Sequence, residues 1–162
     1  MSAREHDEAM MRLAIREAKG CAAEGEVPVG AVVACGGKVI AVGRNGREVG
    51  RNALYHAEIE AINAACRALG GWRLIGCELF VTLEPCPMCT GAIINSRIER
   101  VVYGASDPKA GSCGSVVNLF DLPYNHKPEL VPGVLEEECA ELLSCFFREL
   151  RAKKQGSERK PT

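Results

Sequence analysis

Apolar residues recur along the chain with two periods, and these periods predict the order of the secondary-structure elements. In residues 5–23 the apolar positions follow steps of three and four, with charges on the other face, which is typical of an amphipathic helix. Apolar, β-branched runs at 29–34 and 38–42 flank two glycines at 36–37. This pattern predicts a β-hairpin with a glycine turn.

The middle of the chain predicts helices alternating with strands. Residues 55–69 are rich in alanine and predict a helix whose first turn carries His56 and Glu58. A strand is predicted over 77–82, and a short helix over 87–95 begins at a proline that suits a first turn. Residues 100–103 predict another strand. A strand, a helix and a strand in this order favour a parallel pairing.

The last third of the chain is more irregular until its final helix. Residues 104–115 are rich in Gly, Ser, Asp, Pro and Lys and predict a loop, which after a strand of an α/β fold is a natural ligand rim. Residues 116–122 are ambiguous, and residues 130–134, which include Pro132, predict either a brief edge strand or an extended link. A long amphipathic helix is predicted over 136–154. The polar, basic residues 153–162 predict a fraying tail.

Length and composition indicate one soluble domain, predicted over residues 1–152 of the 162, with the basic polar tail after it. No apolar run approaches the length of a membrane span, and the N-terminus has no signal-peptide core. We therefore expect a cytoplasmic protein that keeps its nine cysteines reduced. Four of them fall in helical patterns and are predicted to be small core residues: Cys21, Cys66, Cys139 and Cys145.

Overall charge gives no support to a nucleic-acid partner. The formal net charge is −1 and the isoelectric point about 6.3. Binding to nucleic acid would therefore have to come from a local patch of basic residues.

The chemistry of the chain is concentrated in two short motifs. Cys86 and Cys89 have the Cys-x-x-Cys spacing that lets two thiolates bind one zinc ion, and His56 supplies a third ligand. Three protein ligands with one open position are typical of a catalytic zinc. Glu58 lies two residues after His56 and is suited to proton transfer. The combination is the signature of zinc deaminases that act on nucleobases. The alternatives are a structural zinc site and a redox-active dithiol.

Further segments extend these motifs into a family resemblance over nearly the whole chain. The sequence resembles the bacterial tRNA-specific adenosine deaminases, a family of the cytidine deaminase-like superfamily. The shared segments are residues 27–31, 56–58, 82–89 and 100–104, and the segments that point to the tRNA enzymes are 107–115, 125–129 and 146–148.

The resemblance implies a fold, a reaction and partners. The fold is a three-layer α/β/α domain with a mixed five-stranded sheet, and the protein is a homodimer with one zinc ion per subunit. The reaction is the hydrolytic deamination of adenosine to inosine at the wobble position, the first base of the anticodon. The substrate is a tRNA recognised through its anticodon stem-loop.

The resemblance also implies roles for particular residues. Glu58 is the catalytic residue, and His56, Cys86 and Cys89 bind the metal. Predicted substrate-binding residues are Asn45, Ala57 through its backbone N–H, Asp107, Lys109, Phe147 and Arg148. Ordinary alternatives exist for several of these, since an Asn can be a turn residue and the N–H groups can be plain helix-start geometry. One departure is Cys113, which stands in the loop where the family often has small residues.

The end of the chain carries a candidate RNA contact. Phe146 and Phe147 are adjacent and therefore point about 100° apart on a helix, so that one can be core while the other stacks on a base. The basic residues predicted to accompany them are Lys109, Arg148, Arg151, Lys153, Lys154, Arg159 and Lys160. The ordinary interpretation is a solvated helix end, where cations suit the helix dipole.

Two other functions share part of this pattern. A deaminase of free nucleobases or nucleosides, of the guanine or cytosine type, would keep the zinc ligands and Glu58 without needing a basic terminal helix. A non-catalytic zinc protein that binds RNA or acts as a scaffold would have no use for Glu58 beside an open metal position.

Overall fold

The computed structural model describes residues 1–158, and these form one mixed β-sheet with helices on both faces. The elements in chain order are α1 (Ala3–Ala23), β1 (Gly30–Cys35), β2 (Lys38–Arg44), α2 (Ala57–Leu69), β3 (Cys77–Leu83), α3 (Pro87–Ser96), β4 (Arg100–Ala105), a 3-10 helix (Leu119–Asp121), β5 (Glu129–Val131) and α4 (Glu136–Glu158).

The five strands lie in the order β2-β1-β3-β4-β5. Strand β1 is antiparallel to both of its neighbours, whereas β3, β4 and β5 are parallel to one another. The predicted hairpin is confirmed, and Gly36 and Gly37 make its turn with positive φ angles of 59° and 81°. The parallel pairing across α3 is confirmed as well. The predicted mixed five-stranded sheet is therefore correct.

Alternation along the strands divides the core into two layers. In β1, Ala31 and Val33 face the side covered by α2 and α3, and Val32 faces the side covered by α1 and α4. Successive side chains point to opposite faces of a strand, so a sheet buried on both faces needs apolar residues at nearly every position. This arrangement confirms the three-layer α/β/α fold.

The close contact between α2 and the sheet depends on a glycine in β2. A Cβ atom on Gly43 would lie 2.2 Å from the carbonyl oxygen of Ala57 and 2.6 Å from the backbone nitrogen of Ala61. Only a residue without a side chain permits this distance between strand and helix. Gly43 therefore sets how near the start of α2 lies to the sheet.

A buried ion-pair network ties α1 to the opposite end of the sheet. Arg100, at the start of β4, donates to both oxygens of Asp7 at 2.7 and 2.6 Å and to Glu78 of β3 at 2.7 Å. This fork-to-carboxylate geometry is the strong form of the interaction. The network lies at the N-terminal ends of β3 and β4, away from the ends that lead to the predicted metal ligands.

Helix α4 differs from the sequence prediction in its end and in one face. It continues to Glu158, so the basic residues expected to fray from residue 153 are helical as far as the structure describes them. Residues 159–162 of the predicted tail, including Arg159 and Lys160, lie outside the described residues. Among the four cysteines predicted to be core, Cys21 and Cys139 are buried, Cys66 is partly buried and Cys145 is exposed. It lies six residues, or about 240° of helical rotation, from the buried Cys139, which turns it to solvent.

Within the described part of the chain, no helix combines the length and the apolar character that crossing a bilayer requires.

Candidate active site

The predicted metal ligands meet where two helices begin. His56 is the N-cap of α2 and Cys86 is the N-cap of α3, and both have extended backbone angles. Neither side chain caps its own helix, so both are available to a ligand between the helices. The sequence predicted a helix from residue 55 with His56 in its first turn, whereas α2 begins at Ala57 and His56 immediately precedes it. As an N-cap, His56 turns its ring toward the cysteines.

The three side chains have the separations that a zinc ion requires. Nδ1 of His56 lies 3.6 Å from Sγ of Cys86 and 3.5 Å from Sγ of Cys89. All three atoms lie within 4.8 Å of one another. Tetrahedral zinc with bonds of about 2.3 Å to sulfur and about 2.0–2.1 Å to nitrogen places the nitrogen about 3.5–3.6 Å from each sulfur and the two sulfurs about 3.8 Å apart. The donor set and its geometry therefore fit zinc.

The electrostatics of the cluster favour a thiolate. A hydrogen bond from the Cys89 thiol, with a second from His56, lowers the pKa of Cys86 to about 4. The same hydrogen bond raises the pKa of Cys89, because its proton is shared with the neighbouring sulfur. The positive ends of two helix dipoles add to the effect at Cys86. A divalent cation would replace the shared proton and balance both thiolates.

Glu58 shares a cavity with two of the three predicted metal ligands, His56 and Cys86. Glu58 is the second residue of α2 and is only 4% exposed, and burial raises the pKa of its carboxyl above the ordinary value. A carboxyl with a raised pKa suits proton transfer near neutral pH. The residues that line the cavity are Val27, Val29, Asn45, Arg47, His56, Ala57, Glu58, Leu83, Glu84, Cys86, Asp107 and Ala110.

Asn45 was predicted either to bind substrate or to be a turn residue, and its position is compatible with both. Its Nδ2 donates to the carbonyl of Val27 at 3.1 Å, and its Oδ1 accepts the backbone N–H of Arg47 at 3.1 Å. Asn45 thus forms the turn that leaves β2, and it also lines the cavity. An amide nitrogen has two hydrogens, and the described residues accept one of them, so the other is available to a ligand.

The loop after β4 divides its two predicted substrate residues between two surfaces. Asp107 lines the cavity, and its Oδ1 accepts the backbone N–H groups of Lys109 and Ala110 at 3.0 and 3.2 Å. The side chain of Lys109 lies instead on a surface groove against α4. This terminal groove consists of Lys109, Glu141, Leu143, Ser144, Phe147, Arg148 and Arg151.

The terminal groove brings together the remaining predicted substrate residues. Phe147 is 40% exposed, while Phe146 is half-buried and meets the Phe147 ring edge to face, with centroids 5.5 Å apart. Arg148 forms an ion pair with Glu141 at 2.8 Å. The structure therefore brings Lys109, Phe147 and Arg148 together, and it separates them from Asn45, Ala57 and Asp107, which line the cavity. Their roles in binding substrate stay predictions.

Three charged residues near the site were not predicted from the sequence. Arg47 lines the cavity, and no local pattern marks a single arginine in a loop. Glu26 is fully buried and accepts the backbone N–H groups of Glu48 and Val49 at 3.1 and 2.5 Å. Glu84 is buried beside the cavity, and its presence two residues before Cys86 was the available signal.

The unusual Cys113 of the loop does not face the cavity. Its side chain is 2% exposed, and its Sγ lies 3.5 Å from Oγ1 of Thr90 on α3. Burial raises the pKa of this thiol to about 12, so it is an uncharged core residue.

In this three-layer fold, a His/Cys/Cys cluster lies at the N-termini of two helices, beside a buried glutamate. This combination is characteristic of the zinc-dependent deaminases. In agreement, residues 4–105 match the family model of the cytidine and deoxycytidylate deaminase zinc-binding region. The matched range contains all four residues of the predicted centre.

Individual relatives narrow the class. The chain is 53% identical over 154 residues to the tRNA-specific adenosine deaminase of Bacillus subtilis. This match covers 94% of this chain and 96% of the relative. A solved structure from studies of A-to-I editing by tRNA:A34 deaminases at the wobble position of transfer RNA is 46% identical, with a TM-score of 0.81, and the match covers 83% and 99% of the two chains. The guanine deaminase of Bacillus subtilis is 34% identical with a TM-score of 0.62, over 78% and 82% of the chains. The chain belongs to the family of tRNA-specific adenosine deaminases, which are zinc-dependent hydrolases.

Proposed function

We propose that this protein hydrolyses adenosine to inosine at the wobble position of a tRNA anticodon, in the cytoplasm, as a homodimer with one zinc ion per subunit. The observation that carries the reaction is the buried Glu58 in one cavity with His56 and Cys86, which form a three-residue cluster with the buried Cys89. The similarity to tRNA-specific adenosine deaminases supports the choice of substrate.

His56, Cys86 and Cys89 would hold the zinc ion, which supplies a Lewis acid that makes water a nucleophile near neutral pH. Glu58 takes a proton from the attacking water and delivers it to N1 of adenine as oxygen adds to C6. Glu58 then carries the second water proton to the amino nitrogen, and the C6–N6 bond breaks. One water is consumed and one ammonia is released. Ala57 and Glu58 line the cavity at the start of α2, where the first backbone N–H groups have no partner within the helix and can orient the base.

The terminal groove supports an RNA substrate rather than a free base. Lys109, Arg148 and Arg151 are cations around an exposed aromatic ring, Phe147. Stacking of an unpaired base on such a ring contributes about 1–3 kcal/mol, and cations contact the phosphates. The groove is connected to the cavity by the loop that carries Asp107 and Lys109. A free nucleobase would fill the cavity without reaching the groove.

The homodimer is proposed from the family resemblance. At the end of α3, Asn95 and Glu99 are exposed, whereas Ile94 and Ile98 are buried in the core of this chain and add no apolar patch to the surface. Light scattering at micromolar concentration should give about twice the 17.4 kDa mass of one chain. A mass of a single chain would contradict the dimer.

The decisive experiment measures ammonia release and inosine formation on an anticodon stem-loop with adenosine at the wobble position. Adenosine, cytidine, cytosine and guanine are tested beside it under the same conditions, with a stem-loop carrying guanosine at that position as the matched control. We expect turnover of the adenosine stem-loop and little reaction with the others. Preferential turnover of guanine or of a cytosine compound would favour the free-base alternative. An RNA-bound protein that turns over none of them would favour a non-catalytic scaffold.

A further inference from the structure

The Glu84 carboxylate is surrounded by hydrogen-bond donors from a single loop. Its side chain follows β3 and is 2% exposed. It accepts the backbone N–H groups of Asp107, Cys113 and Ser115 at 3.0, 3.1 and 3.0 Å, and it also accepts the Ser115 hydroxyl. All four donors belong to residues 106–115, here called the rim loop. The rim loop therefore folds around one buried negative charge.

The rim loop approaches this carboxylate too closely for a larger residue. A Cβ atom on Gly111 would lie 2.3 Å from the Glu84 carboxyl carbon. The backbone N–H of Ser112 donates to the carbonyl of Pro85 at 2.9 Å, so the loop also follows the next residue toward Cys86. Backbone N–H groups that converge on an anion form a binding concavity, and here the chain supplies its own anion.

The rim loop carries residues that face both surfaces of the proposed substrate site. Asp107 and Ala110 line the cavity, and Lys109 lines the terminal groove. Glu84 is two residues from Cys86 at the start of α3. The same carboxylate therefore links the loop that carries the substrate contacts to the segment that carries a metal ligand.

The hydrogen bonds of Glu84 distinguish it from Glu58. Both of its oxygens accept two donors each, all from the rim loop, so neither is free to exchange a proton with a substrate. Its function must therefore act through the loop rather than on the reacting atoms.

We propose that Glu84 is a positioning residue, which fixes the rim loop relative to the metal centre and thereby determines how well an anticodon stem-loop is held for deamination. This inference rests on the proposed function and adds to it a residue that acts through Asp107 and Lys109.

The test compares Glu84→Gln with a matched control, Glu78→Gln. Gln keeps the size of Glu84 and places an NH₂ group against N–H donors. Glu78 lies on the same strand, pairs with Arg100 and lies at the opposite end of the sheet. We expect Glu84→Gln to lower kcat/KM for the stem-loop about 10- to 100-fold, because a displacement of about 1 Å has effects of this size. Glu78→Gln should stay within about twofold of wild type, because its network is remote from the rim loop.

Zinc content and the absorption spectrum of the cobalt-substituted protein separate positioning from loss of the metal site. Both should be unchanged in Glu84→Gln, since its donors come from the rim loop and not from the ligands. The proposal is overturned if kcat/KM stays within twofold of wild type. It is also overturned if zinc content or the cobalt spectrum changes in proportion to activity.

A double-mutant cycle with Asp107→Ala shows whether Glu84 acts through the loop. If it does, Glu84→Gln will lower kcat/KM less in the Asp107→Ala background than in wild type. Equal effects in the two backgrounds would overturn the proposal. If Glu84→Gln does not fold, Ser115→Ala decides, because it removes one donor at an exposed position. A stem-loop kcat/KM for Ser115→Ala equal to wild type would then overturn it.

The activity of the wild-type protein distinguishes a failure of the proposed function from a failure of the proposed role of Glu84. Failure of the wild-type protein to deaminate the stem-loop refutes the proposed function. The ratio of variant to wild type, measured on the substrate that wild type turns over, still tests Glu84.

Discussion

Replacement of Glu58 by Gln tests the proposed mechanism most directly. Gln fills the same volume on the second residue of α2, where the side chain is 4% exposed, so the fold and the zinc site should be retained. It cannot accept the proton of the attacking water or return it to the base. We therefore expect a protein that binds zinc and stem-loop but turns over very slowly.

The magnitude follows from the absence of a substitute base among the described cavity residues. The other carboxylates there are Glu84, which accepts four hydrogen bonds, and Asp107, which accepts two from its own loop. Glu84 therefore has no free oxygen, and Asp107 is held through its Oδ1 in the turn of its own loop. General acid–base catalysis contributes about 10²–10⁴-fold, and one residue here serves several transfers. We therefore expect kcat to fall about 10²–10⁴-fold, which corresponds to an increase of about 2.7–5.4 kcal/mol in the activation free energy.

The assay is single-turnover inosine formation on the stem-loop, with zinc content and melting temperature measured on the same preparation. Glu60→Gln is the matched control, because Glu60 is in the first turn of the same helix but does not line the cavity. It should retain wild-type rates. A Glu58→Gln rate within tenfold of wild type, with zinc bound, would remove Glu58 from the mechanism.

Three further predictions concern the metal, the RNA contact and the fold. Cys86→Ala should lose zinc and activity together, and full wild-type activity after exhaustive chelation would contradict a zinc centre. Replacing Arg148 and Arg151 together by Ala should lower kcat/KM for the stem-loop and leave the zinc content unchanged. The slope of log kcat/KM against log salt concentration should fall by about 1–2, since each lost phosphate contact removes about 0.7–0.9. An unchanged slope would exclude the terminal groove as an RNA contact. Gly43→Ala should lower the free energy of unfolding by about 1–3 kcal/mol through overpacking against α2, measured by urea denaturation. Gly71→Ala, where a Cβ meets no atom within 4 Å, is its control, and equal stabilities would refute the packing argument.

The sequence by itself determined the elements and the identity of the metal ligands. The buried face of a helix or strand can be identified from apolar residues that recur every two to four positions, so the signal lies within a short stretch of sequence. The Cys-x-x-Cys spacing also acts locally, because Cys86 is the N-cap and Cys89 the third residue of one helix, so both thiols lie at the start of that helix. Together with the two cysteines, His56 and Glu58 form the residue set of a catalytic zinc site. These inferences required no knowledge of how distant segments meet.

Tertiary structure decided the orientation of those residues and the partners of the buried charges. The register of α2 made His56 an N-cap, and this turned its ring toward sulfur atoms 30 and 33 residues away. Glu84 accepts donors 23–31 residues further along, so its position two residues before Cys86 marks it as near the site but does not reveal these partners. Lys109 and Asp107 are neighbours in the chain, yet they line different surfaces because the loop passes between the cavity and α4. Such contacts depend on the order of strands in the sheet, because that order decides which loops lie next to each other. Hydrophobic periodicity shows which residues are buried, but it does not show which segments become neighbours.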